Sequence, residues 1–464
     1  MAVFNVIKLS ELEGAKRLDA EHYKPEYLKV KQKLLQTKFV YFKDLVEEII
    51  HPKEIKREYE EEKQDYLFLL AQNVRPLMLD LSEKKFISEE IAKLMPKNLL
   101  EKGDILFIRT GAVGDSTVYT GEPPKVIASA HILIAKPNFR VSPYYLAVFF
   151  NTSFGKNLII RGTYGALQPE IAPNYMKNLP VPIFSRDLII KIEKTFLKSQ
   201  ELLQESQKLY SQAEDLLLEE LGLKDFKSKY EKTYTVKLSD AFSAHRIDAE
   251  YFQPAYEEVI EKIKQYPNGF SKLLKTVENV AADFDPTKYP DDDFCYVELA
   301  NIDSSIGVIH SVNKVKGVEA PSRARRLLKE GDVIVSSVEG SLEKVALVDK
   351  EHNGCLASTG FFQFRSLYIL PEVLLIMSKT VILQLQLKKK CSGTILTAVP
   401  KESLRDIIIP ILSLSIQQKI ASLVQQSHEA RRRAKELLEI AKRAVEIAIE
   451  ESEEKAQEYI QKKS

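Results

Sequence analysis

The sequence predicts an α+β protein. It comprises two similar mixed α/β domains separated by two long helices that form a coiled coil, with pseudo-two-fold symmetry. Three observations carry this expectation. The chain contains an internal duplication, each copy ends in a long run free of Pro and Gly with apolar residues at 3-and-4 spacing, and the body of each copy reads as short strands between turns.

The duplication is most evident where each copy opens. VIKLSELEGAKRLDAEHYKPEYLKV near the start matches TVKLSDAFSAHRIDAEYFQPAYEEV beyond the middle. Leu9 pairs with Leu238, Arg17 with Arg246, Asp19 with Asp248, Glu21 with Glu250, Pro25 with Pro254 and Tyr27 with Tyr256, always 229 residues apart. The register continues through Asn73 and Asn301, the Gly-Asp turns at Gly103 and Gly331, Ala128 and Ala357, and the closings MKNLPVPI and LRDIIIPI, which align Pro182 with Pro410.

After Pro182 a run from Asp187 to Leu221 carries Ile189, Ile192, Phe196, Leu203, Tyr210, Ala213 and Leu217, with Ser199 and Ser206 on the same seam; Gly222 is a natural stop. After Pro410 a longer run extends from about Ser415 to Lys462, with Ile416, Ile420, Leu423, Ser427, Ala430, Ala434, Leu437, Ala441, Ala444 and Ala448 on its seam. At about 1.5 Å per residue these helices reach ~50 and ~70 Å. Seams this long favour a coiled coil over two separately packed amphipathic helices, and each helix has the other as a ready partner. Strands are expected at Asp104–Ile108, Val126–Ile134, Val333–Val335 and Val345–Val348, and short helices at Glu26–Leu35 and Tyr256–Lys264. The resulting division is 1–182 for the first domain, 183–232 for the central helix and linker, 233–410 for the second domain and 411–464 for the last helix.

Composition narrows the function. With 464 residues, 44% hydrophobic and 29% charged, the chain suits a multidomain soluble protein. No apolar stretch approaches the ~20 residues of a membrane span, and the first residues lack the order of a signal peptide, so no membrane partner and a cytoplasmic location are expected. Cys295, Cys355 and Cys391 are widely spaced and expected as reduced thiols; neither they nor the seven histidines have metal-ligand spacing.

Catalytic motifs are missing. The only Pro-Pro, Pro123–Pro124, is followed by Lys125, and Asp285–Pro286 by Thr287, so neither supplies the aromatic loop of a methyltransferase. No phosphate-wrapping GxxxxGK[ST] occurs. Asp80, Glu83 and Lys85 resemble a nuclease cluster only in a way common to charged loops, and His131, beside Asp115 or Ser129, is replaced by Gly360 in the second copy. No metal or cofactor is expected.

Two diverged domains, each followed by a long helix, without a catalytic motif, resemble the specificity (S) subunits of type I restriction–modification systems. The likeness rests on the openings at 8–25 and 237–254, the Gly-Asp turns, the closings NLPVP and DIIIP, and the helix start IQQKIASLV. It implies two target-recognition domains reading an asymmetric bipartite site in double-stranded DNA, an antiparallel pairing of the helices, and partners that do the chemistry. These are methyltransferase (M) subunits, two of them, using S-adenosylmethionine, and restriction (R) subunits using ATP. A specificity subunit of a related type II system, or a coiled-coil scaffold binding protein ligands, are the alternatives.

DNA contacts are expected where Arg, Lys and small polar residues meet Gly in loops: Arg109 and Thr110; Arg161, Thr163, Tyr164 and Gln168; and, in the second copy, Lys388, Lys389, Lys390 and Thr394. Lys314, Lys316, Arg323, Arg325 and Arg326 make a further basic region opposed in sequence only by Glu319. The net charge of +1 requires positive charge to be local, with partner subunits contributing phosphate contacts. The purified chain, incubated with duplex DNA and radiolabelled S-adenosylmethionine, should transfer no methyl groups; incorporation of label by this chain alone would overturn the non-enzymatic reading.

Overall fold

The computed structural model describes residues 6–9, 12, 17–56, 59, 65–81, 84–165, 167–227, 229–393 and 397–463. The chain forms two compact units, one of residues 1–203 with 432–464 and the other of 204–431.

Each unit contains one copy of the repeat, and the copies share a strand plan. In the first unit Val46–Ile50, Ile132–Pro137, Ile105–Ile108 and Ser116–Val118 lie side by side in that order, all antiparallel. In the second unit the corresponding order is Val277–Asn279, Phe361–Ser366, Val333–Ser336 and Val345–Leu347. A second sheet in each unit contains a parallel pair: Tyr66–Leu69 with Val126–Ala128, and Asp293–Val297 with Leu356–Ser358. The expected single strand Val126–Ile134 is therefore two, separated by a turn in which the Ile132 N–H donates to the Ser129 carbonyl.

The anchors shared by the copies have physical roles. Gly103 and Gly331 take φ of +98° and +84°, a region where a side chain is strained. The aspartate that follows each is buried. Asp104 accepts the Glu101 N–H and pairs with Lys136; Asp332 accepts the Lys329 N–H and is gripped by Arg365 at 2.9 Å through two nitrogens. Asn73 and Asn301 are buried turn residues whose Oδ1 atoms accept the N–H three residues earlier, from Leu70 and Glu298.

Both copies close in the same way. Phe39–Tyr41 pairs antiparallel with Pro180–Pro182, and Phe270–Lys272 with Ile408–Pro410. Past each closing strand a long helix begins. The central helix is Arg186–Glu220 and the late helix Leu414–Glu450. The late run breaks where one helix to Lys462 was expected: the Lys455 N–H donates to Ser452 Oγ, Glu453 and Glu454 occupy the first turn, and a separate helix, Glu453–Lys463, begins. The uninterrupted part is 37 residues, about 55 Å rather than ~70 Å.

Ile192, Phe196, Ser199, Ser206, Tyr210, Ala213 and Leu217 are all buried, as are Ile420, Ser427, Ala430, Ala434, Leu437, Ala441 and Ala444. In the first unit Leu188, Ile192 and Phe196 share a core with Leu437, Ala441, Ala444 and Val445. In the second, Tyr210, Ala213 and Leu217 share one with Ile420 and Val424. There Ser427 Oγ donates to the Ser206 carbonyl at 2.7 Å, an approach of the two backbones that only small residues permit. Among the described residues no helix is long and apolar enough to cross a membrane.

The expectation of reduced thiols holds for Cys391, which is free and buried, but not for Cys295 and Cys355, which form a disulfide. Their separation of 60 residues hides the pairing in sequence; the parallel register that sets Tyr296 against Leu356 brings them together.

A buried polar cluster lies in the second unit. Lys379, 7% exposed, donates to the Ser305 carbonyl at 3.2 Å, sits 4.4 Å above the Tyr210 ring and is 3.9 Å from Glu214. Arg431 pairs with buried Asp303 at 2.5 Å, and the His428 ring donates to the Ile306 carbonyl. Burial pushes the Lys379 ammonium down to about 8. Between that value and the ordinary lysine value the unfolded chain binds more protons, so this residue makes stability rise with pH in that window. The melting temperature of wild type relative to Lys379→Met should therefore climb from pH 8 to pH 10; a flat difference would contradict it.

Candidate nucleic-acid interface

The opening motif of each copy returns to the far end of the same copy. Arg17 holds Asp19 through two nitrogens, at 2.8 and 2.6 Å, and donates to the Gly162 and Thr163 carbonyls at 3.2 and 2.7 Å. Those carbonyls end the helix Ser153–Arg161, where backbone acceptors lack helical donors. Arg246 grips Asp248 in the same way, at 2.7 and 2.8 Å, and donates to the Cys391 carbonyl at 3.1 Å, at the end of the helix Val381–Lys390. The neighbouring guanidinium holds both carboxyls below the usual range. Sequence reading used these residues to align the copies and missed their role, although Arg-x-Asp written twice was the signal.

Beyond each clamped helix end lies a short loop. Tyr164 and Glu170 exchange backbone hydrogen bonds, as do Ser392 and Ala398. Gly165 turns the first loop at φ +95°, with a Cβ position only 2.6 Å from the Gln168 carbonyl, so glycine is required there. Gln168 is exposed, and Tyr164 is 46% exposed with its hydroxyl donating to Glu170. Arg109 reaches the same carboxylate at 2.5 Å and is mostly covered. Burial, followed by the nearby Arg109 charge, lowers the His51 pKa. Thr163 is half-buried and Thr110 buried. Thr394 lies outside the described residues.

Arg161 is 3% exposed. Its Nε donates to the His22 carbonyl at 2.9 Å, and Nδ1 of His22 returns a bond to the Arg161 carbonyl at 2.8 Å. It ties the opening segment down rather than facing solvent. The lysine triplet is not a loop but the last turn of the helix Val381–Lys390, where cations suit the carbonyl end. Lys388 lies 3.6 Å from Glu250, buried Lys389 pairs with Glu257, and Lys390 with Asp406 at 2.9 Å.

The further basic region is more balanced than its sequence suggests. Lys314 and Lys316 are exposed on the edge strand Asn313–Lys316, but strand pairing sets Asp293 directly across from Lys316. Arg325 pairs with Asp285 at 2.6 Å. Arg326 is buried, donates to the Val280 carbonyl at 2.8 Å, and has its pKa lowered by burial. Arg323 is exposed. Of the residues singled out by sequence, Tyr164, Gln168, Lys314, Lys316, Arg323 and Lys388 thus face solvent.

No family model and no curated protein matches the chain. Solved structures do. The chain is similar to S subunits of type I restriction–modification systems. Against the S subunit from M. genitalium the identity is 12% and the TM-score 0.42, over 89% of this chain and 96% of that chain. Against the HsdS subunit from Thermoanaerobacter tengcongensis the figures are 13% and 0.28, over 89% and 97%. A chain of a type I system solved for its complex assembly and conformational transition gives 14% and 0.28, over 91% and 97%.

Placement separates two kinds of substitution. Arg161→Ala removes a buried bond to a buried partner and should cost about 1–3 kcal/mol of stability, read as a lowered melting temperature. Lys314→Ala with Lys316→Ala, both exposed on an edge strand, should leave the melting temperature unchanged, and a clear drop would contradict their placement.

Proposed function

We propose that this chain is the non-catalytic, sequence-reading subunit of a restriction–modification complex. Each copy, 1–182 and 233–410, acts as a target-recognition domain for one half of an asymmetric bipartite site in double-stranded DNA. The central and late helices pair antiparallel as a coiled coil that spaces the two readers. Two methyltransferase subunits and the restriction subunits assemble on it in the cytoplasm and supply S-adenosylmethionine and ATP chemistry.

One observation carries this reading: the duplication persists as fold. Both copies keep the strand order, the closing pair and the clamp, while the loops beyond the clamps differ in sequence, YGALQPE against SGTILTA. Two like scaffolds carrying unlike loops suit the reading of two unlike half-sites. The seam supports the pairing: the early part of the central helix packs with the later part of the late helix in one unit, and the converse holds in the other. In the basic patches, Arg and Gln suit base edges and Lys suits phosphates.

The spacing role is tested by lengthening both helices together. Seven residues inserted after Leu203 and seven after Arg431 preserve the seam and add ~10.5 Å, about three base pairs of duplex. Mapping methylated adenines in cells carrying the system should show the same half-site sequences with about three more unspecified base pairs between them. Altered bases with an unchanged gap, or an unchanged motif at full activity, would overturn the ruler.

A further inference from the structure

We infer that Arg17–Asp19 and Arg246–Asp248 are positioning residues that set, copy by copy, the backbone just past each helix end, 162–165 and 391–393, and so govern what each copy reads. The inference rests on the proposed function for its link to DNA, but the clamp itself stands on geometry.

The clamp binds where a loop is least able to hold itself. The last carbonyls of a helix have no intrahelical donors and carry the negative end of its dipole, so a guanidinium offering several N–H groups is the best-matched side chain. Arg17 supplies two such bonds, to the residue ending the helix and to the next, which begins the loop. Its Nε and Nη2 also bridge the two carboxylate oxygens of Asp19, Nη2 serving Thr163 as well, which fixes the plane of the guanidinium and so the direction of its donors. Gly162 packs so closely on the Tyr175 ring that a Cβ there would lie 2.0 Å from it, and the hydroxyl of that ring donates to the Leu158 carbonyl.

The second copy repeats the device on a different sequence. Arg161-Gly162-Thr163 is replaced by Lys390-Cys391-Ser392, yet the contacts Arg17–Gly162 and Arg246–Cys391 each span 145 residues. The ring of Tyr251, which stands where His22 does in the first copy, lies 4.6 Å beneath the Arg246 guanidinium and holds it from the other side. Each clamp joins residues of one copy only, so the two loops are set independently.

Two measurements on Arg17→Ala, Arg17→Lys and Arg246→Ala test this. In the purified full-length chain, backbone amides at 163–165 should exchange with deuterium about tenfold faster in Arg17→Ala, while those at 391–393 keep the wild-type rate; Arg246→Ala should do the converse. Should Arg17→Ala fail to fold, Arg17→Lys, which keeps the charge but cannot bridge Asp19 and both carbonyls, should show the same one-sided rise. Unchanged exchange, or a rise spread over both loops, overturns the clamp. In cells carrying the complete system, each variant should relax base preference about tenfold at one half of the methylated motif and leave the other half intact. A loss of methylation equal at both halves marks a purely structural effect and overturns the positioning role. One-sided exchange with a wild-type motif that is not bipartite overturns the proposed function and leaves the clamp standing.

Discussion

Everything in each copy depends on a short antiparallel pair that ties its beginning to its end. Phe39–Tyr41 against Pro180–Pro182, and Phe270–Lys272 against Ile408–Pro410, each offer only three residues of ladder. Proline at these positions donates nothing, so the pairs are stabilised chiefly by what they bury, including Val181 in one copy and Ile408 and Ile409 in the other. Their effect is geometric. They fix where the domain stops and where the long helix departs, and every residue of the helix seam follows from that starting point.

The second constraint is that buried polar groups must find partners. Asp104 and Asp332 are nearly inaccessible and would be costly alone; a cation on the adjacent strand, Lys136 or Arg365, balances each. Pairing also occupies much of the positive charge. Arg109, Arg325, Lys389 and Lys390 each face a carboxylate, so the exposed positive charge is carried by a smaller set of residues than composition implies.

Much of the fold was legible in the sequence because duplication substitutes for an alignment. Residues kept in both copies, such as Gly103 and Gly331 or Asn73 and Asn301, proved to sit at turns with defined backbone demands. The helix seam was legible because 3-and-4 spacing and burial coincide at Ile192, Phe196, Ser199, Ser206, Tyr210, Ala213 and Leu217, although Leu203 is only half-buried. What was not legible depends on pairing across distance. Strand register set Asp293 against Lys316 and Cys295 beside Cys355, and no local pattern announces either. Burial of Arg161 and Arg326 was hidden for the same reason: a basic residue in a Gly-containing or charged stretch reads as surface until its backbone partners are known. The break before Glu453 was missed because serine, not glycine or proline, marks it.

The first unit draws its last part from the end of the chain. Glu453 accepts the Ser185 N–H at the head of the central helix, Gln457 accepts from Lys191, and Ala456 and Ile460 are buried in the same core. The second unit, by contrast, is one unbroken stretch of sequence. On a ribosome, which delivers the chain from its N-terminus, the unit begun first is therefore the one finished last: it must wait with an open helix flank until about 230 further residues have emerged, by which point its sibling has only just received its own last residue.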